Sequence, residues 1–194
     1  KLADAVAQIE HVARAVAVAE YPLMLGFGER GMAELSKRAL ELVPPESREA
    51  AGLLSQYGLA LYVETADYEA AQEALERAMH IARKEEDQVL ELRALSNSAH
   101  VDFDEGRFED GVEKNLRAVD IARSLNDRSV EMHARLYAAA SMTGTGDLEG
   151  ALEHAQVVLD LTEMERIPGM ESGALQVLQD ASHLKGDWAS AREF

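Results

Sequence analysis

The chain contains no cysteine, which excludes a disulfide framework and a thiolate zinc site. Proline is scarce, with 4 residues, and aromatic residues make up only 5% of the 194. No apolar run approaches the ~20 residues a membrane span needs, and the start shows no signal peptide. β-branched residues never gather in the alternating pattern of a strand. Basic residues are also in short supply, 19 against 36 acidic ones, for a net charge of −17. A phosphate backbone or an anionic membrane needs a basic surface, so this balance argues against direct binding to either. A basic or neutral partner is easier to accommodate. What remains is helix-forming. The apolar fraction is 47%, and its largest class is alanine, which has the best helix propensity and lets helices approach closely. The composition points to an all-α chain.

Aligned at an offset of 40 residues, the sequence repeats. Residues 66–87 read ADYEAAQEALERAMHIARKEED, residues 106–127 GRFEDGVEKNLRAVDIARSLND, and residues 146–167 GDLEGALEHAQVVLDLTEMERI. Residues 186–194, GDWASAREF, open a fourth copy. Tyr68, Phe108, Leu148 and Trp188 form a column of large side chains expected to enter the core at the start of a helix. Ala71, Gly111, Ala151 and Ala191 form a small-residue column, as a close helix crossing demands. Ala78/Ala118/Val158, Ile81/Ile121/Leu161 and Ala82/Ala122/Thr162 follow at spacings of three and four, which puts them on one helix face. Asp67, Asp147 and Asp187 stand at N-cap positions, and Gly106, Gly146 and Gly186 stand just past the preceding helix. Partner helices are predicted over 47–64, 88–104, 128–143 and 170–184.

Each repeat is therefore an antiparallel pair, helix A then helix B, that must stack on its neighbours to bury its apolar stripe. The expected organisation is one continuous array over 1–194. Within it, 1–45 is a divergent first pair, 46–86, 87–126 and 127–167 are repeats, and 168–194 is a partial last one. In the first pair, one helix is predicted over 1–21 and a second over 29–43, with a break at 22–31. The chain opens on Lys1 and stops in mid-pattern at Phe194, so a piece of a longer protein is expected.

The pattern Gly-x-aromatic-x-x-small, as in Gly106-Arg107-Phe108 with Gly111 and Ala118, resembles the tetratricopeptide-repeat (TPR) family. The period of 40 exceeds the family's usual length of about 34, and the proline common near the end of helix B is missing. Longer repeats of this kind resemble those of bacterial LuxR-type and STAND-type ATPase regulators and of kinesin light chains. The resemblance implies an α-solenoid, a superhelical array whose A helices line a concave groove. Carried over onto this sequence, the inward positions are Tyr57, Asn97, Tyr137 and Val177; Ala60, His100, Ala140 and Asp180; and Leu53, Arg93, His133 and Gly173. The partner-binding set is thus Tyr57, Arg93, Asn97, His100, His133, Tyr137 and Asp180. Asn97 and Tyr137 are expected to point into the groove, so that replacing both spares stability. The family's clamp for acidic tails needs basic groove residues, and only Arg93 qualifies.

Motifs for chemistry are lacking. None of the six His residues pairs with another at i, i+4, and no His-Glu-x-x-His run occurs. His80 and His154 fall on B-helix faces that read as outward. Gly26-Phe27-Gly28-Glu29-Arg30-Gly31 matches Gly-x-Gly-x-x-Gly but follows a helix rather than a strand, so it reads as a flexible break. The expected function is a non-catalytic protein-interaction or sensor segment of a larger bacterial regulator. It would be cytoplasmic, with roles in scaffolding, signalling or transcription regulation, and would use no cofactor and no metal. The alternative is a receptor for a small peptide or metabolite.

Overall fold

The computed structural model describes residues 31–165 and 170–192. The predicted helix over 1–21 and most of the break at 22–31 lie outside the described residues. Packing divides the chain into two units, one ending at Val101 and the other beginning at Asp102. Every element of eight or more residues among the described ones is an α-helix. The first unit holds α1 (Met32–Leu40), α2 (Arg48–Thr65), α3 (Tyr68–Lys84) and most of α4 (Gln88–Asp104). The second holds α5 (Phe108–Ser124), α6 (Arg128–Thr145), α7 (Leu148–Glu165), α8 (Met170–Lys185) and a 3-10 turn at Ser190–Arg192. The chain is all-α, built of antiparallel helix pairs as the repeat predicts. The helix expected over 29–43 is shorter, ending at Leu40, and Val43 is buried in the turn before the two prolines.

The structure adds a finer punctuation than the 40-residue period. Ala66, Glu86, Gly106, Asn126, Gly146 and Gly186 all have positive φ, between 53° and 84°. They stand at intervals of 20 residues, with position 166 outside the described residues. The following residue caps the next helix. Asp67, Asp87, Asp127, Asp147 and Asp187 accept from the amides of Ala70, Leu90, Val130, Gly150 and Ser190 at 3.0–3.1 Å. The amides of Asp87, Arg107, Asp127 and Asp187 in turn donate to carbonyls five residues back, closing the preceding helix. A and B helices thus share one stop-and-start signal, the left-handed residue followed by Asp. Arg107 breaks the column: it offers no side-chain cap, and its guanidinium pairs instead with Asp110 at 2.9 Å.

Within the first unit, α1 packs on α2 and α2 on α3. The Glu64 carboxylate, at the end of α2, accepts from the amides of Gly31 and Ala33 at 3.1 Å and so caps α1 from another helix. Gly58 lies against Leu75 so closely that a Cβ there would meet the Leu75 Cγ at 2.6 Å. Buried Gln72 and Ser98 join α3 to α4. The Gln72 amide donates to the Ser98 carbonyl at 3.1 Å, and the Ser98 hydroxyl donates back at 2.5 Å.

Within the second unit, successive helices pack in order and α6 also lies beside α8. Ala151, Ala155, Ala139, Ala181 and Leu178 form its core with Met142 and Val177. The small columns are buried in both units: Ala71, Ala78, Ala118, Ala122 and Ala151 are all 0% exposed. Tyr68, Phe108 and Leu148 are half-buried as expected of helix-start anchors. Trp188 departs from its column at 56% exposure. Its ring lies edge-on to His183, with centroids 4.2 Å apart. Phe103 and Phe108, 80 residues earlier, form the same kind of edge contact at 5.8 Å. The anchoring contact recurs, but at Trp188 no later helix covers the ring among the described residues.

Candidate functional site

The predicted site residues come from A helices and are described unit by unit. In the first, α2 carries Tyr57 and α4 carries Arg93, Asn97 and His100, at spacings of four and three that share a face. All four are half-buried. Leu53 and Ala60, read as groove positions, are core residues instead, at 1% and 5% exposure. Their neighbours explain this: α1 and α3 both pack on α2, and α4 is hydrogen-bonded to it, so positions that a solitary hairpin would expose are covered. Asn97 does not simply project from α4. Its side-chain amide donates to the Ser55 hydroxyl at 3.0 Å and to the Ser55 carbonyl at 3.3 Å, tying α4 to α2.

In the second unit, α6 brings His133 and Tyr137 together one turn apart, with rings stacked at 5.4 Å and 25°. Tyr137 also meets Phe103 edge-on at 5.7 Å. Burial, and then the nearby Asp104 carboxylate, push the Tyr137 phenol up to about 12, so it stays a neutral donor at any ordinary pH. Asp180, on α8, is exposed and is gripped by Gln176, whose amide lies 3.0 Å from both carboxylate oxygens. Val177, read as a groove position, is a core residue at 8% exposure. The expectation that Asn97 and Tyr137 are dispensable for stability is therefore corrected: one holds two helices together and the other is packed among rings. Sequence reasoning missed Ser55 and Phe103 as their supports. The Phe103–Phe108 spacing, repeated as His183–Trp188, was the available signal.

His80 is exposed, as read from the sequence, but His154 is half-buried. Its Nδ1 lies 3.5 Å from the Arg135 guanidinium, which pairs with Glu131 at 2.9 Å. Burial, and then the positive charge of Arg135, hold the His154 imidazole below its ordinary 6.5, against a weaker upward pull from Glu153 and Asp147. Because the folded chain binds this proton less readily than the unfolded one, its contribution to stability is whole above pH 6.5 and is lost as pH falls toward the lowered folded value. Urea midpoints at pH 7 and below pH 6 should therefore diverge more in the wild type than in His154→Gln. Equal acid sensitivity of the two proteins would show that His154 carries none of it.

Among the described residues, no three His, Asp or Glu side chains converge as metal ligands. No described helix is long and apolar enough to cross a membrane. What the A-helix faces offer is aromatic area, one amide, imidazoles and a guanidinium, a set suited to holding a peptide or protein surface.

No protein-family model matches the sequence, and no curated protein matches it. Solved structures do share its architecture. Apo RapI is 18% identical with a TM-score of 0.71, over 82% of this chain and 45% of that one. The chain thus spans less than half the length of RapI. The nearly identical TPR-like repeats of a Podosopora anserina protein described as a kinesin light chain, solved as a point variant, are 15% identical to this chain with a TM-score of 0.72. That match covers 96% of this chain and 89% of the other. The fold is TPR-like. At these identities the likeness speaks for the α-solenoid of helix pairs and for nothing finer.

Proposed function

We propose that this TPR-like chain is a non-catalytic protein-interaction segment of a larger bacterial regulatory protein. In this reading it works in the cytoplasm, in signalling or transcription control, and holds a basic or neutral protein or peptide against its A helices. The observation that carries the reading is the recurrence of Tyr57, Asn97 and Tyr137 at one repeat position, each half-buried rather than sealed in the core. Half-burial leaves part of each side chain for a partner while the rest is held by the fold, and such preorganised aromatic and amide groups bind at low entropic cost. The acidic balance favours a basic partner, whose association weakens as salt rises because exposed charges are screened over about 10 Å at 0.1 M.

The variants that test this must spare Asn97 and Tyr137. Tyr57→Ala and Asp180→Ala, titrated calorimetrically against the partner captured and cross-linked by the intact chain, should each lose about tenfold in affinity, or roughly 1–2 kcal/mol. Circular dichroism should be unchanged. Full binding by both variants would move the site off these helices. Capture of a peptide or metabolite alone would turn the reading to a small-ligand receptor.

A further inference from the structure

Between α7, α8 and the terminal turn, the second unit leaves an open slot of about 500 Å³. Half-buried Leu152 and nearly covered Leu178 form its floor, and Glu149, Glu153 and Asp187 stand on its rim. Among the described residues that line it, the one cation is Lys185, and Glu149 takes it at 2.5 Å. The preceding copy holds Val112 and Ala138 in the same register, so the apolar pair is shared by the two copies of this unit. Eighty residues earlier the same register holds Gln72 and Ser98, which close on each other through two hydrogen bonds. Here Leu152 packs against the core cluster that holds Leu178, and its uncovered part gives the slot an apolar floor. Beyond the rim, Leu184 and Trp188 are 63% and 56% exposed. Phe108, which shares Trp188's column, is instead half-buried and lies against Gly144 of the following A helix.

We propose that this slot docks an amphipathic helix of another protein. Small aliphatic side chains would face Leu152 and Leu178, and Lys or Arg would flank them toward Glu153 and Asp187. The shape follows from the fold, since a furrow between two neighbouring helices takes a third helix by ridge-in-groove packing. The sign of the charge follows from the rim, where three carboxylates stand against a single lysine, and from a net charge of −17. The proposal does not rest on the A-helix reading, because it uses other residues.

Trp188 is the chain's sole tryptophan and stands between two slot-lining residues, Asp187 and Ser190, so its emission reports on the site. The probe is a synthetic helical peptide with Ala and Leu on one face and Lys on the flanks; the control carries Glu in place of Lys. The Lys peptide should shift Trp188 emission saturably, more weakly at high salt, and the Glu peptide should not. Glu153→Lys should weaken binding about tenfold. Glu73→Lys, at the same repeat position in the first unit, should leave it unchanged. No saturable shift, or equal loss in the two variants, would overturn the proposal. A shift produced by self-association of the chain alone, seen in sedimentation, would give the slot to a second copy and overturn it as well.

Discussion

Lys114→Met is expected to destabilise the protein by about 3 kcal/mol, far more than a surface lysine normally costs. Asp102 is 0% exposed, and the Lys114 ammonium lies 2.5 Å from its carboxylate. Removing the cation takes the Lys114 charge away from a buried carboxylate, which is the costly way to break such a pair. The repeat itself indicates the rescue. At the two positions equivalent to Asp102 and Lys114, the preceding copy has Tyr62 and Ala74, and the following one has Met142 and His154. Ala74 and Met142 are both buried. Asp102→Met combined with Lys114→Ala should therefore recover most of the loss, because apolar side chains of suitable volume replace a buried pair at little net cost. Urea midpoints of the single and double variants decide the matter. An unchanged midpoint in Lys114→Met would mean that Lys114 does not hold Asp102, and a double variant no better than the single would tie Asp102 to other groups of its unit.

Leu75→Ala should cost about 2–5 kcal/mol. Leu75 is 0% exposed and forms a cluster with Leu59 and Val101, flanked by Tyr62 and Tyr68. Its side chain also fills the space that Gly58 leaves open on α2. Truncation would leave a void lined by three helices of the first unit, and a backbone already in close approach at Gly58 has little room to collapse into it. Hydrogen exchange should quicken in α2 and α3 of the variant, with a lower urea midpoint. A loss below about 1 kcal/mol would show that the site relaxes freely. The same column holds Asn115 in the next copy and Ala155 in the one after, so a truncation there would remove far less. Asn115 is itself 2% exposed, and its side-chain nitrogen has no hydrogen-bond partner among the described residues.

The helix pairs were legible in the sequence because their signals are local. The structure begins and ends α2, α4, α6 and α8 at or within about two residues of the predicted partner helices, since capping and periodicity depend on neighbours three and four positions away. Even so, half of the punctuation escaped notice. Ala66, Glu86 and Asn126 take the left-handed conformation that the sequence advertises only where glycine stands. Side chains can be forced there when the flanking helices over-determine the turn.

The shared A-helix face was legible in the sequence but the burial of its residues was not, and the errors have one origin. A repeat pattern says which face of a helix a residue shares, whereas burial depends on what lies against that face. Leu53, Ala60 and Val177 share a face with Tyr57, Asn97 and Tyr137, yet neighbouring helices cover the former and leave the latter half-open. The sequence alone determined that this protein is all-α, that it is built of helix pairs with a 40-residue period, and that small side chains mark where the helices cross. Only the tertiary structure decided which polar side chains are spent internally. The pairs Asn97 with Ser55, Gln72 with Ser98 and Lys114 with Asp102 join helices through residues 12 to 42 apart. Each hydrogen bond or ion pair requires its own two partners at the right distance. A periodic pattern constrains a column of positions, and it does not choose which of them will meet.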